Sequence, residues 1–206
     1  MKTISLLSIG LLVLNSVLFA QPTSFQIGLN AVPFFDKTVE LNATWTKSPG
    51  YDFFVHGGYT LPSHYPQNNN EFLWRYWEGT VSGAYLRVGG RAYLNKTGRF
   101  RPFFGAHLTN SYLNQSGEDV SILECIVAPC YPIKSKAAKE SFLLSAGISG
   151  GVRVDIMPRL TLDLGVLANR FIFEKPELYN QAVYIPGYGR KPIQGVASVQ
   201  YTLKGR

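Results

Sequence analysis

The chain has 206 residues, and its 20 Lys and Arg exceed its 13 Asp and Glu, which gives a formal net charge of +7. The cations are scattered singly and no nucleic-acid-binding motif accompanies them, so the composition disfavours a nucleic-acid partner. A chain of this length suits one domain.

The first 20 residues have the pattern of a secretory signal peptide. Lys2 precedes an apolar run from Ile4 to Phe19, and Ala20 follows as a small residue at a cleavage site. The run is shorter than the ~20 residues of a membrane-spanning helix. We therefore predict that residues 1–20 are removed on export and that residues 21–206 form one domain.

Eight segments then alternate between apolar and polar residues with a period of two, which indicates β-strands. They lie near residues 24–33, 39–45, 51–60, 86–94, 101–112, 142–156, 160–166 and 193–203. The intervening turns are short near 48–50, 95–99 and 157–159, a fourth short connection lies near 34–37, and the connections near 62–80, 113–139 and 172–192 are long. Brief turns at one end and long loops at the other are typical of bacterial outer-membrane barrels.

The two sides of these segments differ in charge. One side is apolar, and the other carries seven charged residues, namely Glu40, Asp52, Arg87, Arg91, Arg153, Asp155 and Asp163. Because hydrocarbon excludes an open sheet edge, the first and last strands must pair. We predict an all-β, eight-stranded antiparallel transmembrane β-barrel with short periplasmic turns and longer extracellular loops, in the outer membrane of a Gram-negative bacterium.

The direction of the alternation sets the interior of this barrel. With the apolar side towards lipid, the seven charged residues form a polar network in the lumen, and the side chains of eight strands about fill that space, which disfavours a general diffusion porin. The alternative is a soluble lipocalin-like barrel, in which the apolar side turns inward around a ligand.

A segment of 20 residues, 87–106, contains an Arg-rich strand, a turn and the sequence Arg-Pro-Phe-Phe-Gly. It resembles the strand-turn-strand hairpin of the small outer-membrane β-barrel family, the OmpA/OmpX-like proteins common in Bacteroidota. The resemblance implies the same fold and location but no particular activity, because members of this family have no single function. The chain departs from the family at its end, where Lys204-Gly205-Arg206 stand in place of a terminal aromatic residue.

Cys125 and Cys130 are the only cysteines, and they lie close to Pro129 and Pro132. In an exported protein this spacing predicts a disulfide that closes a small loop. The residues around the cysteines and histidines do not have metal-ligand spacing, so we expect no metal and no other cofactor.

The favoured functional hypothesis is a non-enzymatic structural or surface-binding protein that acts through its extracellular loops. The aromatic-rich sequence Trp74-Arg75-Tyr76-Trp77 in the second loop suits contact with an external protein or glycan, and equally suits an aromatic girdle at the membrane boundary. Outer-membrane lipid is the other expected partner, since loop cations could bind lipopolysaccharide phosphates. These cations are Lys134, Lys136, Lys139, Arg170, Lys175, Arg190 and Lys191.

The alternative hypothesis is an enzyme. The sequence His107-Leu108-Thr109-Asn110 resembles the His-x-Ser-Asn motif of outer-membrane lipid A 3-O-deacylases, with Thr109 in place of the nucleophilic serine. This resemblance implies a lipid A-modifying esterase in which the imidazole activates the hydroxyl group. The alternation, however, directs both side chains into the lumen, which favours a hydrogen-bonded structural histidine.

Overall fold

The computed structural model describes residues 24–65, 75–121, 132–172 and 184–204. The strands are β1 (Ser24–Asn30), β2 (Thr38–Ser48), β3 (Tyr51–Tyr65), β4 (Arg75–Tyr93), β5 (Phe100–Ser121), β6 (Ile133–Met157), β7 (Leu160–Phe171) and β8 (Ile193–Lys204). A short 3₁₀ helix, η1 (Val32–Asp36), connects β1 to β2. No described helix is long and apolar enough to cross a membrane.

Every strand pairs antiparallel with its neighbours in sequence, and β1 pairs with β8, so the sheet closes into an eight-stranded barrel. Closure gives each strand a hydrogen-bonding partner on both sides, as a hydrocarbon environment requires. The predicted fold class is confirmed. The predicted signal peptide, the predicted disulfide between Cys125 and Cys130, and Trp74 all lie outside the described residues.

The barrel is apolar outside and polar inside. Leu41 on β2 is 63% exposed, and other large apolar side chains project outward around the whole wall. In contrast, Glu40, Arg87 and Arg153 point inward and are 1% exposed. A soluble barrel has the opposite arrangement. The lipocalin-like alternative is therefore wrong, and the exposed apolar wall is the surface that meets lipid.

Three strands are much longer than a membrane crossing of about 9–11 residues requires. β4 has 19 residues, β5 has 22 and β6 has 25. The rings of Tyr112 and Phe142 meet on the outer surface of the barrel, with centroids 5.1 Å apart, and mark the outer limit of the apolar band. Beyond it, residues 75–83, 113–121 and 133–141 continue as a sheet, here named the extension, and residues 63–65 at the end of β3 pair with its β4 edge.

The prediction of long loops over 62–80 and 113–139 was therefore wrong for much of both ranges. The outward face of the extension meets water and carries polar residues such as Ser82, Asn114 and Glu140. Without lipid on one side, the contrast between an apolar and a polar face disappears, and with it the sequence signal for a strand.

The inward face of the extension has a small hydrophobic core. Its members are Trp77, Val81, Leu113, Ala137 and Leu143 from the sheet and Ile185 from the β7–β8 connection. Gly83 makes room for that connection, since a Cβ atom at this position would lie 2.8 Å from Cγ of Pro186. Residues 184–192, the described part of the β7–β8 connection, therefore fold over the extracellular end of the barrel and pack against the extension.

Candidate functional site

The periplasmic half of the lumen contains two arginines and two aspartates in direct contact. Arg91 donates from Nε to Asp52 and from Nη1 to Asp163, with both distances 2.7 Å. Arg153 donates from Nε to Asp163 over 2.7 Å and from Nη1 to Asp52 over 3.1 Å. Because Asp52 is on β3 and Asp163 is on β7, these bonds cross the lumen and connect opposite walls.

Neighbouring side chains add further hydrogen bonds to this cluster. Tyr93 donates to Asp52 over 2.5 Å, and Gln200 donates to Asp163 over 2.8 Å. The guanidinium group of Arg91 lies over the ring of Phe54, 5.6 Å from its centroid. Phe54 interrupts the polar pattern of β3 in the sequence, and the structure gives it this role as a cation–π partner.

Asp155, which the sequence pattern places in the lumen network, lies apart from the four charges of this cluster. It forms an ion pair with Arg101 at 2.9 Å, and its side chain is 37% exposed. Its position two residues from the end of β6 explains the difference, because the inward side chains near the end of a strand reach the mouth of the barrel. Arg101 also lies over the ring of Tyr93, which places this pair at the edge of the network.

Glu40 is the centre of a second lumen cluster, nearer the extracellular end. Its carboxylate accepts hydrogen bonds from Asn30 at 3.0 Å and from the hydroxyl group of Tyr85. Nη1 of Arg87 is 3.5 Å from the carboxylate, and Nδ1 of His56 is 3.3 Å from it. A buried carboxylate is tolerated when it is paired and hydrogen-bonded in this way.

Arg87 also connects this cluster to the extracellular surface. Its Nη2 donates to the backbone carbonyl of Gly187 over 2.7 Å, and its Nε donates to Thr109 over 3.2 Å. Gly187 belongs to the β7–β8 connection, so a lumen arginine holds the covering segment in place. Neither Tyr85 nor Gly187 was predicted from the sequence. Tyr85 could have been found from the alternation of β4, which directs its side chain inward. The carbonyl group of Gly187 could not, because a backbone acceptor in a loop leaves no pattern in the sequence.

His107 and Thr109 both point into the lumen and are buried. Nε2 of His107 is 2.7 Å from Oδ1 of Asn169 on β7, and Thr109 accepts the bond from Arg87. Each side chain is thus oriented by a different neighbour. An activated nucleophile requires the base itself within hydrogen-bond reach of the hydroxyl group.

The four residues predicted to form an aromatic loop surface do not share one face, because neighbouring residues of β4 point to opposite sides of the sheet. Arg75 and Tyr76 lie on the strand, and Tyr76 is on the outward face, where its neighbours are Lys134 and the buried Val120. Trp77 points the other way into the core of the extension and is 4% exposed, so the prediction of a surface role for Trp77 was wrong. On the outward face, Glu118 and Glu78 hold the ammonium group of Lys134 and raise its pKa.

Within the described ranges, no group of three or more His, Cys, Asp or Glu side chains is arranged to hold a metal ion.

Comparison with known proteins gives structural relatives only. No family model matches the sequence, and no curated protein matches it. The chain is similar to the N-terminal β-barrel domain of Pseudomonas aeruginosa OprF, with a TM-score of 0.50 and 11% identity over 88% of this chain and 98% of that one. Neisserial surface protein A matches at a TM-score of 0.41, with 11% identity over 86% and 93% of the two chains. Ail, the attachment invasion locus protein of Yersinia pestis, matches at 0.36, with 8% identity over 87% and 93%.

The fold and the apolar exterior together define the class of this protein. It is a small eight-stranded β-barrel of the bacterial outer membrane, as the OmpA/OmpX-like resemblance of its sequence implied. The similarity to the OprF barrel supports this fold. At 11% identity the comparison carries no activity or ligand over to this chain.

Proposed function

We propose that the protein is a non-enzymatic outer-membrane protein that uses its extension to bind an external protein or glycan. The extension carries this proposal, because its strands continue beyond the aromatic boundary of the barrel and share a hydrophobic core with Ile185 of the β7–β8 connection. A sheet held rigid in this way keeps its outward side chains in fixed positions. Preorganisation of that kind lowers the entropy cost of binding.

The filled lumen favours a role at the cell surface over a role in transport. The cross-lumen bonds of Arg91 and Arg153 occupy the periplasmic half, and the segment that Arg87 holds covers the extracellular end. Such an interior suits a scaffold better than a wide transport path. The separate orientation of His107 and Thr109 argues against the esterase hypothesis.

The experiment compares the native protein with a shortened barrel. In the shortened form, tight turns replace residues 62–82 and 113–141, so that both hairpins end near the aromatic boundary. Each form is reconstituted in vesicles and tested for binding to an array of surface glycans and to extracellular matrix proteins. The native form is expected to bind at least one component that the shortened barrel does not bind.

A second variant keeps the extension and changes only its outward face. Tyr76→Ala with Lys136→Glu is expected to weaken the same binding, and Lys96→Glu in the periplasmic turn provides a charge-reversal control. Slower gel migration after heating verifies that each form is a closed barrel. Equal binding by the native and shortened forms would refute the proposal.

A further inference from the structure

A cleft opens where the barrel wall is incomplete, between η1 and the first residues of β8. The last β1–β8 pair in the described chain is Asn30 with Ser198, and Ala31 then donates to the carbonyl of Ala197 over 2.8 Å. Beyond this point the chain turns into η1, while Ile193–Val196 remain paired with β7. One edge of β8 therefore faces a helical turn in place of a strand.

The cleft has a volume of about 300 Å³. Val32 and Pro33 form one wall, and Ile193 and Gly195 form the other. The buried side chains of Glu40, Tyr85 and Arg87 lie at its inner end. The cleft is thus apolar at its walls, polar at its inner end, and of a size that suits a single sugar unit.

Cations surround the mouth of the cleft. Arg190 and Lys191 line it, and the Arg190 side chain is 57% exposed and paired with Asp36 at 2.9 Å. The bond from Asn169 to the carbonyl of Pro192, 2.7 Å long, places exposed Arg170 beside Lys191 on the outer surface. Lys37 follows η1 and is also exposed. Among the described residues, Arg190 and Lys191 thus line the mouth with Asp36, while Arg170 lies beside Lys191 and Lys37 follows Asp36. A local excess of cations of this kind attracts phosphate.

The cleft is at the height of the outer membrane boundary. Phe35 on η1 is 88% exposed, and an aromatic side chain with this exposure at the end of an apolar wall marks the interface with lipid. Ile193 is exposed two residues after Lys191, and Val166 is exposed on β7 beside it. Cations directly above an apolar wall fit a ligand with an anionic head and acyl chains.

From this arrangement we infer that the cleft between η1 and β8 binds the phosphorylated sugar headgroup of an outer-leaflet glycolipid of the lipid A class. The sugar enters the cleft, Arg170, Arg190 and Lys191 bind its phosphate, and the acyl chains lie against the wall below Ile193. This site is separate from the extension. Its test is therefore independent of the test of the proposed function.

The test measures binding of fluorescent bisphosphorylated lipid A to the whole protein in nanodiscs of neutral phospholipid. Arg170→Gln with Lys191→Gln is expected to weaken binding about tenfold, the effect of losing charge-assisted hydrogen bonds. Lys47→Gln with Lys96→Gln removes the same charge from the periplasmic end of the barrel and is expected to change it less than about twofold, because distant charges are screened. Equal losses of lipid A affinity in the two double variants would show that binding depends only on the net charge of the protein, and would overturn the site.

Two further arms test the shape of the site and the nature of its ligand. Gly195→Leu fills the cleft without removing a charge, since a Cβ atom at this position has its nearest neighbour, Val32, 3.9 Å away. This variant is also expected to lose binding, and unchanged binding would overturn the cleft as the sugar site. Glucosamine phosphate without acyl chains is expected to compete poorly, and competition equal to that of lipid A would overturn the assignment to a lipid.

Discussion

Arg87 and Gly187 are joined by a 2.7 Å hydrogen bond that connects the middle of the lumen to the segment covering its extracellular end. Gly187 has a φ of 71°, in the left-handed region that favours glycine. A Cβ atom there would lie 2.6 Å from the ring of Tyr85. The position of the covering segment therefore depends on a charge in the lumen and on the absence of a side chain at residue 187.

We predict that Gly187→Ala releases this segment while leaving the lumen charges paired. Alanine at a positive φ is strained, at a cost of about 1 kcal/mol or more, and it also contacts Tyr85. Hydrogen exchange of the Gly189 amide, which donates to Ile185 over 2.7 Å, is expected to accelerate. Gly98→Ala, at a φ of 106° in a periplasmic turn, is the matched control and should leave that exchange unchanged. Identical exchange in native protein and Gly187→Ala would contradict the prediction.

Arg87→Gln is expected to release the same segment and, in addition, to destabilise the barrel. It leaves Glu40 buried without its arginine, which costs about 3–5 kcal/mol when one member of a buried pair is removed. Urea unfolding in detergent micelles measures this loss. The double variant Glu40→Gln with Arg87→Gln removes both charges and should recover most of the stability. A double variant as unstable as the sum of the two single variants would show that the pair is not coupled.

Asp163 and Asp155 provide a second comparison, because the same substitution meets different surroundings. Asp163 accepts hydrogen bonds from Arg91, Arg153 and Gln200 inside the lumen. Asp163→Asn is therefore expected to cost about 3–5 kcal/mol of unfolding free energy. Asp155→Asn affects a partly exposed pair with Arg101 and should cost less than about 1 kcal/mol. Similar losses in the two variants would mean that the network contributes no more than a surface pair.

The barrel could be predicted from the sequence because lipid imposes one rule on every residue of the membrane band. Apolar residues alternate with polar ones where one face meets hydrocarbon, so the inward direction of Arg87, Arg91 and Asp163 followed from parity alone. The extension was missed because water lies on its outer side and Gly79 and Gly117 interrupt its inner side. Contacts between distant segments, such as Arg87 with Gly187, depend on three-dimensional placement and leave no local pattern.

The extension should lose its order independently of the barrel. Trp77 is central to its hydrophobic core, and Trp77→Ala removes a buried aromatic side chain at a cost of about 3–5 kcal/mol. Because this core lies beyond the membrane band, we expect protease sensitivity at the extension, while the barrel still migrates faster on a gel without heating. Tyr76→Ala changes the outward face of the same strand and is expected to leave protease resistance intact. If Trp77→Ala prevented barrel formation altogether, the extension and the barrel would be one cooperative unit.

The final prediction concerns lipid A chemistry at His107 and Thr109. His107 is held by Asn169 and Thr109 by Arg87, and both side chains are buried inside the wall, away from lipid. An ester bond in a membrane lipid has no described route to a hydroxyl group in this position. Purified native protein incubated with lipid A should therefore leave its mass unchanged, as judged by mass spectrometry, and His107→Ala and Thr109→Ala should give the same spectrum. A purified lipid A deacylase provides the positive control for substrate quality. Loss of one acyl chain with the native protein, abolished by either substitution, would establish an esterase and require that the lumen open to the membrane.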